Sequence, residues 1–95
     1  MKKYFIVSLC RNGLLGGGIV VDENKITYKT GKLTIPDKLR NLEMSYADMD
    51  GFTVGRLLFL PTVTINMKDS ENYKFVVFAR KKFIEVLKQA DVKYF

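Results

Sequence analysis

The order of elements restricts the fold of this chain more than any other feature: a succession of short strand-like segments ends in one amphipathic helix. In the last third, Tyr73-Lys74-Phe75-Val76-Val77-Phe78 has the β-branched and aromatic content of a strand. Just beyond it Phe83, Ile84, Leu87 and Ala90 follow i, i+1, i+4, i+7 spacing, widened by Val86. That spacing predicts a helix from about Arg80 to Gln89 with a single apolar stripe. A helix this short needs a sheet or a barrel mouth to pack against.

Upstream, turn signals separate six further strand-like segments. Tyr4 to Leu9 is apolar on both faces, which predicts a strand covered on both sides. Asn12-Gly13 is a hairpin signal, and Gly16-Gly17-Gly18 leads into Ile19-Val20-Val21. The glycine run lacks a dinucleotide-binding pattern and precedes a β-branched strand instead of a helix, so it predicts a bulge or a sharp bend. Lys25 to Lys29 alternates, with Ile26 and Tyr28 inward and Lys25, Thr27 and Lys29 outward. The longest irregular connection, Thr30 to Lys38, contains Pro36, which argues against a central strand there. Further strands are expected from about Arg40 to Ser45, Phe52 to Leu58 and Val63 to Met67. A corner at 46–51 and a polar turn at 68–72 connect them.

Ninety-five residues, 47% of them apolar, fit one folded domain spanning 1–95. The N-terminus superficially resembles a signal peptide, but its apolar stretch is too short, and it is read as the first strand. No run is long enough to span a bilayer as a helix. The chain has no His and a single Cys, which removes the usual general base and leaves no set of ligands for zinc. Ser8, Ser45, Ser70 and Cys10 therefore lack a partner for nucleophilic chemistry, and no enzyme, metal or cofactor is expected. Asp48 and Asp50 before Gly51 lack the further ligands of a calcium loop, so a corner with local Asx hydrogen bonds is expected. A lone Cys10 fits a reducing compartment, hence a cytoplasmic protein, peripheral at the inner membrane face if it docks there.

Strands in hairpin succession with a closing helix resemble the pleckstrin-homology-like (PH-like) superfold, and within it the bacterial GRAM group. The residues carrying the resemblance are Gly16 to Val21 with Lys25-Ile26-Thr27-Tyr28, then Leu42-Glu43-Met44-Ser45-Tyr46-Ala47-Asp48-Met49, then Tyr73 through Ile84. The likeness spans about Leu14 to Gln89. It implies a mainly β fold with one C-terminal α-helix: a bent antiparallel barrel of about seven strands capped by the helix. It also implies a non-catalytic module binding phosphoinositides, other lipids or protein segments. In the wider family the phosphoinositide pattern places a Lys and further basic residues about the first hairpin. Here Arg11 stands there alone, which counts against tight recognition of that kind.

Two stretches remain as candidate sites. Lys25, Lys29, Lys32, Lys38 and Arg40 concentrate positive charge in a chain of net +6. Near an anionic membrane each would contribute about 1 kcal/mol, giving weak, salt-sensitive docking. Leu57-Leu58-Phe59-Leu60 before Pro61 is four large apolar residues at an edge or a hairpin end, a candidate interface for a second copy or a bilayer. Arg80-Lys81-Lys82 places cations at a helix start, where they oppose the macrodipole. The expected function is a small binding module engaging a protein partner or, weakly, an anionic phospholipid surface. The alternatives are a homodimer through the Leu57–Leu60 edge and nucleic-acid binding through Lys25, Lys29 and Lys32. The last is disfavoured because Tyr28 and Tyr73 point inward and offer no stacking surface.

Overall fold

The computed structural model describes residues 3–11, 13–30 and 40–95. Seven strands, β1 (Lys3–Cys10), β2 (Leu14–Val21), β3 (Lys25–Lys29), β4 (Asn41–Ser45), β5 (Met49–Leu57), β6 (Leu60–Met67) and β7 (Asn72–Val77), precede one helix, α1 (Arg80–Gln89). All strand pairs are antiparallel, in the order β4-β3-β2-β1-β7-β6-β5. The sheet is two hairpin meanders joined where β1 meets β7 (Val7↔Val77, Leu9↔Phe75). It curls into a half-barrel about a core that includes Leu9, Ile19, Ile26, Met44, Phe52, Ile65 and Phe75.

The helix closes this half-barrel as its stripe predicts. Phe83, Val86 and Leu87 are buried, and the Phe83 ring meets Phe5 edge-on at 5.2 Å between centroids. Tyr28 packs against Phe75 across the barrel, and its hydroxyl donates to the Leu15 carbonyl at 2.5 Å. The phenol is thereby buried with its polar end satisfied. The helix ends in a Schellman motif: Val92 N–H donates to the Leu87 carbonyl and Asp91 N–H to that of Lys88. Asp91 takes the left-handed position at φ 62°. This turn sends the last residues along β5, where Phe52 N–H donates to the Lys93 carbonyl and Phe95 N–H to that of Phe52. The Tyr94 ring stacks on Phe52, so the C-terminal segment covers the start of an edge strand.

Four expectations change. β1 is covered on one face only: Phe5, Val7 and Leu9 are buried, while Tyr4 and Ile6 stand 64% and 67% exposed. Alternation sends one set outward however apolar it is, and no described element lies over it. The glycine run is not a bulge, because β1–β2 pairing continues in register from Lys3↔Val21 to Cys10↔Leu14. Two of its glycines answer close approach instead: a Cβ on Gly17 would strike the Lys29 carbonyl, and one on Gly18 the Tyr4 ring. Thr27 faces outward yet is buried, a short side chain in register between Val20 and Glu43 and flanked by Lys25 and Lys29. The 46–48 corner, a 3-10 turn, is held by backbone bonds and not by Asx bonds: Tyr46 N–H to Asn24 O and Lys68 N–H to Asp48 O. Asn12 and most of the irregular connection, including Pro36, lie outside the described residues.

Candidate functional site

The two candidate stretches fare differently. In the basic stretch, Lys25 is spent on an ion pair with Glu43 (2.7 Å), whose hydrogen bond and charge raise the Lys25 pKa above its usual value. Lys29 is exposed, four residues along the same outer face of β3, and Arg40 is half-buried just before β4. Lys32 and Lys38 lie outside the described residues. The described part of this stretch therefore offers Lys29 as its one exposed, unpaired ammonium. Arg11 at the first hairpin is also engaged. Its guanidinium donates to the Asn72 carbonyl at 3.0 Å and lies 5.1 Å over the Tyr73 ring.

The apolar stretch is a projecting tip. Leu57 and Leu60 form the last pair of the β5–β6 ladder, and Leu58-Phe59 is the two-residue turn beyond it. Leu58 is 86% exposed and Phe59 95%. Only Leu58 of the two has positive φ (56°), the pattern of a type II′ hairpin turn, whose first central position favours glycine. A bulky residue there is strained. Pro61 is tolerated because it sits one residue inside the tip of an edge hairpin.

Sequence reasoning passed over the surroundings of this tip. Arg80 Nη1 donates to the Gly55 carbonyl at 2.7 Å, tying the start of α1 to the same hairpin. That bond brings the exposed Lys81 and Lys82 to the tip's side of the molecule, with exposed Arg56 on β5 itself. Beside the helix start, Tyr4, Ile6 and Phe78 line a shallow open groove of about 760 Å³, with Lys3, Lys82 and Glu85 at its margin. Phe78 is 61% exposed. Strict alternation in β1 is the signal that could have found Tyr4 and Ile6. Nothing local marks their nearness to Lys82.

Apart from Glu85 at the groove, most described acidic residues stand in turns away from the tip. Asp22 and Glu23 lie in the β2–β3 turn, Asp48 and Asp50 at the corner, and Asp69 and Glu71 in the β6–β7 turn. The backbone bonds from Tyr46 to Asn24 and from Lys68 to Asp48 hold these turns together, and Asp91 at the end of α1 lines a shared hollow with Glu23. Among the described residues no cluster of His, Cys, Asp or Glu could hold a metal, and no helix is long and apolar enough to cross a membrane.

No protein-family model and no curated protein matches the sequence. Among solved structures, the fold is similar to the C-terminal domain of an unknown protein from Leishmania infantum. The TM-score is 0.77 at 6% identity, over 93% of this chain and 80% of that one. At that identity the likeness concerns the fold alone.

Proposed function

We propose that this chain is a non-catalytic binding module of PH-like, GRAM-type fold that docks weakly on an anionic membrane surface. The observation that carries this reading is the separation of charge. Exposed Arg56 beside the apolar tip and exposed Lys81 and Lys82 at the helix start outnumber the one acidic neighbour there, Glu85, while Asp69 and Glu71 lie beyond the far end of β6. Three unpaired cations near an anionic surface are worth about 1 kcal/mol each, which gives weak and salt-dependent association. The lysines at the helix start oppose the macrodipole, and Ala79 at the N-cap makes no side-chain cap bond. A local rule broken without a local gain is the pattern of a surface kept for binding.

Self-association through the same tip is the second reading, supported by the exposure of Leu58 and Phe59. Charge weighs against it, because facing two such ends would set Arg56, Lys81 and Lys82 of both copies against each other. A peripheral position at the inner membrane face follows from the membrane reading. Co-sedimentation with phosphatidylglycerol vesicles at low salt tests it: the protein is expected in the pellet and released as salt rises. Protein left wholly in the supernatant at low salt would end the proposal and favour a protein partner.

A further inference from the structure

We infer that the β5–β6 hairpin is an interfacial anchor, with Leu58 and Phe59 entering the boundary between headgroups and acyl chains of an anionic bilayer. This rests on the membrane reading and adds to it a place, a depth and an orientation.

Shape comes first. Leu58 and Phe59 are the most exposed large apolar side chains among the described residues, and they stand at the apex of a turn instead of on a flat face. A two-residue apex can enter a fluid interface without a preformed complementary pocket. The depth it can reach is that of an interfacial element, about 5–10 Å. The apex also adopts a backbone conformation that glycine would hold without strain, yet leucine stands there. Strain retained with an exposed apolar side chain is accounted for when that side chain has work outside the fold.

Charge fixes the orientation. Arg56 flanks the tip on β5, and the Arg80–Gly55 bond sets Lys81 and Lys82 beside the same hairpin. With the tip inserted, these long cationic side chains lie at headgroup level, where their stems can cover apolar surface and their charges meet lipid phosphates. The acidic β6–β7 turn, with Asp69 and Glu71, lies at the opposite end of β6. The eight residues of that strand at about 3.3 Å each place the turn about 26 Å away. The screening length at physiological salt is about 8 Å, so in this orientation the repulsion from Asp69 and Glu71 is negligible. An approach that set that turn first would meet its repulsion in full. Ile6 and Phe78, in the groove beside the helix start, provide a second apolar contact once the tip is in place.

The chain contains no Trp, so one introduced indole reports its own site. Phe59→Trp is expected to shift its emission to the blue on phosphatidylglycerol vesicles and to be quenched by lipids brominated near the top of the acyl chain. Leu14→Trp, exposed opposite Cys10 at the far end of β1 from the groove, is expected to show neither. The double variant Leu58→Ser with Phe59→Ser should keep its melting curve and lose about tenfold or more in vesicle partitioning. Lys81→Gln and Lys82→Gln should each lose about fivefold. Wild-type binding in which Leu14→Trp is quenched and Phe59→Trp is not would overturn the anchor and leave the membrane reading standing. No vesicle binding by the wild type would overturn both. A lipid-free dimer in which the Phe59→Trp indole is already shifted would replace the bilayer with a second copy.

Discussion

Leu58→Gly separates what the hairpin tip does for the fold from what it does outside it. Leu58 sits at φ 56°, and holding an L-residue in left-handed backbone costs about 1–2 kcal/mol. Glycine removes that strain. Against this, its extra freedom in the unfolded chain costs about 0.5–1 kcal/mol. The lost packing is small. Leu58 is 86% exposed, so only about a seventh of the roughly 1.5–3 kcal/mol for a fully buried leucine is forfeited, about 0.2–0.4 kcal/mol. The balance is a gain of about 0.5 kcal/mol, or an increase in Tm of about 2–4 °C for a domain of this size. Paired thermal and urea melts followed by circular dichroism measure it, with the urea slope expected to be unchanged. Vesicle partitioning of the same variant should fall. A variant that melts several degrees below the wild type would refute the reasoning, since it would mean that Leu58 packs in the folded state or that its turn is relaxed. Higher stability with weaker binding is the combination that a purely structural tip does not produce.

Three further outcomes follow from the same structure. Phe83→Ala removes a fully buried ring from the helix plug and should cost about 3–5 kcal/mol in a urea titration; a loss below about 1 kcal/mol would mean the helix does not seal the barrel. Asp91→Gly relieves both a left-handed aspartate and a carboxylate at the negative end of α1, so a calorimetric Tm above wild type is expected; a fall would show that the Schellman turn depends on the carboxylate. Burial raises the pKa values of Tyr28, Tyr46 and Tyr73 above 10.0, and the Glu43 pairing raises that of Lys25 in the same sense. Groups with raised folded values stabilise fully below their unfolded pKa and lose that contribution as pH rises through the folded one. The urea midpoint should therefore hold to about pH 9 and decline above about pH 10. A midpoint constant through that alkaline range would contradict the burial of these phenols.

Local signals reached the elements well and the surface poorly. The helix from Arg80 to Gln89 was legible because an apolar stripe at helical spacing can satisfy only one partner face. The strands were legible from alternation and turn residues. Leu57 to Leu60 was recognisable as exceptional, since Pro61 marks a ladder end, but its form as a strained two-residue apex was not, because turn geometry depends on which residues pair. The exposure of Tyr4 and Ile6 was misjudged: an apolar outer face reads like a covered one until the neighbouring elements are placed. The lysines of β3 show the converse error. Lys25 looked available from its own strand, and the Glu43 that engages it comes eighteen residues later from β4.

The sequence by itself determined that this chain makes strands and then one helix, which stripe of that helix enters the core, and that histidine and paired-cysteine chemistry are absent. Those follow from local periodicity and composition, which act over a few residues. Only the tertiary structure decided that the basic helix start is tied to the apolar hairpin and that the acidic β6–β7 turn lies at the far end of that hairpin's second strand. Gly55 and Arg80 are twenty-five residues apart in the chain. Their contact is fixed by the curl of the sheet and the docking of α1, and a pattern read along the chain carries no record of distance across the barrel.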